Sequence, residues 1–178
     1  LDLGLLGRVA AECFVPLAYG GGIYSVTDAE TAVACGADKI VLTWRRRDLI
    51  APLADRLGSQ AVVACVDVYL NDPVILLTST VREMVDMGAG EVMLQVIDLD
   101  GTLSGAAISP VMIVRPLVDV PLVYGGGVSA PEDFRVLAAS GVDGIVAGAL
   151  WQFTAMRPDD AKDALASFGY RVRQRVTA

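Results

Sequence analysis

Two glycine tripeptides and a few carboxylates are the residues of this sequence best suited to chemistry. Gly20-Gly21-Gly22 and Gly125-Gly126-Gly127 each close an apolar run. Backbone without side chains lets consecutive N–H groups approach an anion closely, and a helix starting just downstream adds a favourable dipole. The segments one strand later, Thr43-Trp44 and Gly148-Ala149, are placed to complete such phosphate cups. A triple glycine also serves as a tight turn, so it is the recurrence in matched contexts that favours phosphate. Two matched cups would suit a substrate with a phosphate at each end. Asp67 follows the apolar run Val62-Val63-Ala64-Cys65-Val66, where a carboxylate desolvated at a strand end would be a natural general base. Asp98-Leu99-Asp100-Gly101-Thr102 ends the next run. One of its carboxylates is expected to bond loop N–H groups while another faces substrate, and the residues alone do not rank them.

Composition narrows the chemistry further. The 178 residues contain no histidine, which removes Ser-His-Asp and Cys-His schemes and makes a zinc site a poor expectation. The odd set Cys13, Cys35 and Cys65 lies in apolar contexts, as expected of buried free thiols in a reducing cytoplasm. A net charge of −7 argues against nucleic acid as main partner, which would need clustered cations. Arg45-Arg46-Arg47 and Arg171, Arg173 and Arg175 are the exceptions, expected as solvated helix starts and ends. The apolar fraction is 54%, yet it is dispersed in short runs, none near the 18 residues of a membrane span. No leader-like segment is seen at Leu1. The expectation is a cytoplasmic protein with no membrane contact.

The elements that must hold these residues repeat. Residues 16–45 return as 121–150, displaced by 105 positions with twelve identities in thirty. Strand-like runs are expected at Val15–Tyr19, Lys39–Leu42, Ala61–Val68, Glu91–Ile97, Pro121–Tyr124 and Gly144–Ala147, continuous and apolar as in covered parallel sheets. Amphipathic stretches lie between them at Thr27–Cys35, Ile50–Leu57, Thr80–Met87, Val111–Val118 and Pro131–Ser140, and Leu1–Phe14 reads as a further helix. Thr27 and Ser129-Ala130-Pro131 are expected helix starts, and Gly36, Gly58, Gly88 and Gly141 C-terminal caps. Asp38 and Asp143, at the opposite strand ends, are expected to serve stability or docking at that face. Tyr19 and Tyr124 are expected beneath the glycine turns, and Trp44 and Trp151 in core or rim packing.

Alternating βα units imply a parallel α/β fold. Each repeat copy covers strand, helix, strand, with two βα units between copies, so the period is four units. Two such halves make a (β/α)8 TIM barrel of two-fold repeated half-barrels. On this reading residues 1–178 form a single barrel domain of six βα units, strands 3–8, with two units expected upstream of Leu1. Open sheet edges would favour self-association of the chain as given.

Taken in order, Val15-Pro16-Leu17…Gly20-Gly21-Gly22-Ile23, Gly36-Ala37-Asp38-Lys39, Gly58-Ser59-Gln60-Ala61-Val62-Val63, Gly88-Ala89-Gly90-Glu91 and Ile97-Asp98-Leu99-Asp100-Gly101-Thr102-Leu103-Ser104-Gly105 resemble the cyclase subunit of imidazole glycerol phosphate synthase. The resemblance runs essentially from Leu1 to the end. It implies a lyase of histidine biosynthesis that uses ammonia from a glutaminase partner on a bis-phosphorylated ribotide, without metal or organic cofactor. The general base then falls on Asp67. The phosphate and substrate contacts fall on Gly21, Gly22 and Thr43, on Asp100 and Gly101, and on Gly126, Gly127, Gly148 and Ala149. Lys39 and Glu91 match members of the charged ring that gates ammonia.

Departures accompany the resemblance. It places the general acid on a strand upstream of this chain, which implies that the polypeptide as given does not complete the reaction. Thr43-Trp44 replaces the family's usual Asn-Thr, the stretch from Asp67 to Thr80 is short, and Gln95 stands where a small hydroxyl residue is common. Two other functions fit these departures. One is a related subunit working with an amidotransferase in surface-polysaccharide sugar modification; the other is a non-catalytic phosphate-binding scaffold.

Overall fold

The computed structural model describes residues 2–173. Arg175 lies outside them. Six strands alternate with helices: α1 (Leu3–Glu12), β1 (Ala18–Gly20), α2 (Val26–Ala34), β2 (Lys39–Thr43), α3 (Ile50–Leu57), β3 (Val62–Val68), α4 (Val74–Asp86), β4 (Glu91–Val96), α5 (Ser109–Val114), β5 (Leu122–Gly125), α6 (Pro131–Ala139), β6 (Gly144–Val146), α7 (Ala149–Phe153) and α8 (Pro158–Ser167). The strands form one sheet in the order β1-β2-β3-β4-β5-β6, the parallel α/β arrangement of the TIM-barrel class with six βα units. Contacts divide the chain into a first unit of residues 1–67 and 75–93 and a second of residues 68–74 and 94–178. Among the described residues no helix is long and apolar enough to cross a membrane.

The repeat is reproduced in the hydrogen-bonding register itself. Ala18, Tyr19 and Gly20 of β1 face Lys39, Ile40 and Val41 of β2. Their equivalents 105 residues on, Val123, Tyr124 and Gly125 of β5, face Gly144, Ile145 and Val146 of β6. One device pins both pairings. The Asp38 carboxylate accepts from Leu17 N–H at 2.8 Å while its own N–H donates to Leu17 C=O at 2.8 Å. Asp143 treats Leu122 in the same way, at 2.8 Å and 2.7 Å. A one-residue slip would break both bonds and turn every side chain to the other face. The stabilising role expected of these aspartates is what they perform, and Arg115 adds a 2.9 Å ion pair to Asp143.

The core is built from the strand interiors. Ile40, Leu42, Val62, Ala64, Val92, Leu94, Val96, Leu122 and Tyr124 are all buried, and β3 is buried along its length except at Asp67.

Several element ends differ from the sequence expectation for local reasons. The cap of α2 is Ser25, whose hydroxyl accepts from Asp28 N–H at 3.1 Å, while the Asp28 carboxylate accepts from Tyr24 N–H at 3.0 Å. The acid stands three positions after the cap, and because Glu30 stands equally after Thr27, it is the bonds formed and not the spacing that place the cap at Ser25. Helix α4 begins at Val74, six residues before the expected Thr80. The helix expected over Val111–Val118 ends at Val114 and passes into a 3-10 turn, Arg115–Leu117, around Pro116, which has no N–H to continue the ladder. Strand β1 is confined to Ala18–Gly20, after Pro16. The positive φ values of Gly36, Gly58, Gly88 and Gly141 bear out their expected role at helix ends.

Candidate functional site

In the second unit the C-terminal ends of β4, β5 and β6 supply one cleft. It is lined by Gln95, Asp100, Gly101, Leu103, Gly126, Gly127, Val128, Val146, Ala147, Gly148 and Ala149. All six candidates expected here, Asp100, Gly101, Gly126, Gly127, Gly148 and Ala149, are therefore brought together. The cleft has about 30 Å3 of free volume, room for two or three water positions or one small anionic group.

The shape of this cleft is set by backbone. Gly126 and Gly127 both have positive φ, 112° and 77°. A Cβ on Gly126 would meet the Val96 carbonyl oxygen at 2.5 Å, and one on Gly127 would meet that of Gly105 at 2.3 Å. Only glycine fits either position, because two other backbone segments approach the turn. The Gly105 N–H donates to Gly127 C=O at 2.9 Å, fastening the loop after β4 to the turn after β5. Beneath the turn, Tyr124 is fully buried and its hydroxyl accepts from Ala107 N–H at 2.8 Å. Burial raises its ionisation, partly offset by that bond. Asp133 closes the arrangement. Partial burial pushes its carboxyl upward, but N–H donors from Ala106, Ser129 and Ala130 and the Ser129 hydroxyl outweigh this and hold it below the ordinary 3.8.

The ambiguity between the two loop aspartates is resolved by hydrogen bonding. The Asp98 carboxylate accepts from Leu70 N–H at 2.7 Å and so orders the loop after β3. Asp100 is left exposed at the cleft. Residue patterns had no means of finding Leu103. It lines the cleft with φ 54°, the one non-glycine residue with positive φ among the described residues, and nothing in Thr102-Leu103-Ser104 signals it.

In the first unit the equivalent turn is open. Gly21 and Gly22 again have positive φ, 89° and 69°, but Gly20 and Gly21 are exposed where Gly125 to Gly127 are buried. A Cβ on Gly21 would meet no atom within 4 Å. Thr43 ends β2, exposed, in register with Cys65 of β3. Asp67 lies two residues beyond Cys65 and is exposed, so the desolvation expected of it is not found. The Cys65 thiol is pushed up to about 11, by burial first and by the Asp67 charge second. Of the three cysteines only Cys65 is buried; Cys13 and Cys35 are half-buried, and all three are free thiols. Lys39 and Glu91, first residues of β2 and β4, form a partly buried ion pair.

The arginine triplet lies in the 3-10 turn Trp44–Leu49 that leads into α3, with Arg45 exposed and Arg46 and Arg47 half-buried. The Arg47 guanidinium stacks 3.9 Å from the Trp44 ring and pairs with Glu83, and Arg46 lies 4.9 Å over the Tyr24 ring. Trp44 remains 42% exposed, a rim position, whereas Trp151 packs on Phe134 at 6.0 Å. Tyr19 is half-buried. Among the described residues no group of three or more His, Cys, Asp or Glu side chains is placed to hold a metal ion.

Comparison with known proteins agrees with this geometry. The family described as "Histidine biosynthesis protein" matches residues 2–156. The imidazole glycerol phosphate synthase subunit HisF of Nocardioides sp. (strain ATCC BAA-499 / JS614) is 33% identical over 194 residues, covering 95% of this chain and 75% of that protein. The HisF subunit of Salinispora arenicola is 34% identical, covering 93% of this chain and 73% of its own length. That of Beutenbergia cavernae is 32% identical, covering 96% and 75%. The repeated register, the glycine turns at equivalent strand ends and these matches together make the chain a member of the histidine biosynthesis protein family that includes the HisF subunits.

Proposed function

We propose that this chain carries the substrate-binding and base functions of an ammonia-dependent cyclase. The reaction would join ammonia to a bis-phosphorylated aminoimidazole carboxamide ribotide. It would close the imidazole ring and release imidazole glycerol phosphate and the carboxamide ribotide. The observation that carries this reading is the pair of glycine turns in identical register, each with two consecutive left-handed glycines at the C-terminal end of its strand. Consecutive N–H groups in such turns form anion-binding concavities.

Each side chain then has a part. Gly126, Gly127, Gly148 and Ala149 hold one phosphate through backbone N–H groups, and Gly21, Gly22 and Thr43 take the other. Asp100, an exposed carboxylate beside the first of these cups, accepts a hydrogen bond from a sugar hydroxyl. Asp67, at the C-terminal end of β3, acts as general base in ring closure. Ammonia from a glutaminase partner enters at the other strand ends, past the Lys39–Glu91 pair. From Lys39 to Thr43, the end of β2, it travels about 13 Å at the rise of a strand. The matched relatives carry the HisF name, which does not favour the polysaccharide-associated alternative.

The test is complementation of a histidine auxotroph lacking its cyclase, using the full-length gene that encodes this chain, with an Asp67→Asn variant beside it. Growth with the unaltered gene and none with Asp67→Asn is the expected result. Equal growth of both removes Asp67 from the mechanism, and growth of neither overturns the cyclase assignment.

A further inference from the structure

Among the described residues every backbone position with positive φ is glycine except one. The exception is Leu103, at φ 54°, in the loop that follows β4. The same loop uses glycine at Gly101 and Gly105, where φ is 74° and 97°. A leucine in left-handed backbone crowds its own Cβ, at a steric cost that glycine does not incur. Its neighbours hold it there. The Thr102 hydroxyl donates to Leu99 C=O at 2.7 Å and accepts from Ser104 N–H at 3.3 Å, so a bond spans Leu103. Two residues beyond Leu103, Gly105 N–H is fastened to Gly127 C=O at 2.9 Å. Strain kept in place by bonds on both sides, at a position lining a cleft, points to a use for the side chain.

The floor of that cleft is buried chain, Gly126, Gly127 and Val128. Its room, about 30 Å3, takes one small anionic group, so the rest of any larger ligand must lie across the rim. The loop after β4 supplies three rim residues of different chemistry: Asp100 and Gly101 are exposed, and Leu103 is half-buried. The Asp100 carboxylate opposes a second anion and accepts from a hydroxyl. Leu103 has no polar atom in its side chain, so it gains by covering carbon and gives nothing to a phosphate oxygen. Inorganic phosphate leaves this apolar wall facing water. A phosphate ester places its first carbon against it.

Resting on the reading of the second glycine turn as a phosphate cup, we propose that Leu103 is a specificity residue of that cup. It selects an organic phosphomonoester over free phosphate by packing on the carbon next to the ester oxygen, while Asp100 reads a hydroxyl of the same ligand. Glycine at this position relaxes the backbone but loses the selection, which accounts for a leucine where every comparable position is glycine.

The experiment takes the 15N-labelled protein expressed from the full-length gene and titrates it with inorganic phosphate and, separately, with glycerol 3-phosphate. The amide signals of Gly126 and Gly127 are followed, and the readout is the ratio of the two affinities. In the unaltered protein glycerol 3-phosphate binds more tightly. Leu103→Asn keeps a residue that tolerates left-handed backbone but puts an amide in place of apolar surface. The preference then falls about fourfold, the worth of one buried methylene group, while phosphate affinity stays within about twofold. Leu103→Gly, which frees the backbone, loses the preference to the same extent, and Leu103→Met keeps it. A fall in both affinities by the same factor assigns Leu103 to the shape of the loop alone and overturns the proposal. An unchanged ratio, or no preference in the unaltered protein, overturns it as well and leaves the cup standing. If neither ligand moves Gly126 or Gly127, the cup reading fails and this inference with it.

Discussion

Alanine at the equivalent positions Gly21 and Gly126 separates backbone strain from steric fit. Both glycines have positive φ, 89° and 112°. Holding alanine in left-handed backbone costs about 1–2 kcal/mol, and the stiffer unfolded chain returns about 0.4–1. Gly21→Ala meets nothing within 4 Å, so its net loss is about 0.5–1 kcal/mol. Gly126→Ala carries the same strain and also drives a methyl group to 2.5 Å from the Val96 carbonyl oxygen. That oxygen belongs to β4 and is not a flexible side-chain end, so strand or turn must shift. Overpacking of this kind adds about 1–3 kcal/mol, for a total near 3. The assay is urea unfolding followed by far-ultraviolet circular dichroism. With a slope of about 2 kcal/mol/M, the midpoint falls by about 0.4 M for Gly21→Ala and about 1.5 M for Gly126→Ala. Equal midpoint losses would refute the conclusion that the second turn is clamped by neighbouring backbone while the first is open.

Two further outcomes follow from ionisation. Asp133 is held below its ordinary 3.8 in the folded chain, so its contribution is fully present above that value and is lost as pH falls through its folded value. Unfolding free energy measured by urea between pH 5 and pH 2 (roughly the window that brackets an aspartate) therefore falls less steeply in Asp133→Asn than in the unaltered chain, and parallel slopes would count against its role. With its thiol at about 11, Cys65 is less than about 1% thiolate at pH 8.5, so iodoacetamide followed by mass spectrometry labels Cys13 and Cys35 well before Cys65. Modification of Cys65 at the same rate as the other two would contradict its burial in β3.

How much was legible in the sequence depends on whether a feature is written in neighbouring residues. Continuous apolar runs located all six strands, and the repeat fixed their order and phase, because parallel pairing leaves the same mark on each copy. The aspartates that set register were legible because Gly-Ala-Asp-Lys and Gly-Val-Asp-Gly recur at one strand end. Asp100 was legible as one of two candidates. The choice between it and Asp98 required the N–H of Leu70, which is 28 residues away. Helix starts failed by two residues at α2 because Thr27 and Ser25 are equally good caps until the partner of Asp28 is seen.

By itself, then, the sequence determined that this chain is a repeated parallel α/β protein with glycine turns at matching strand ends and no histidine chemistry. Only the tertiary structure decided that those turns are unequal. The identical tripeptides carry no trace of their surroundings; the second is buried because the Val96 and Gly105 carbonyls close on it, and the first stays open to solvent.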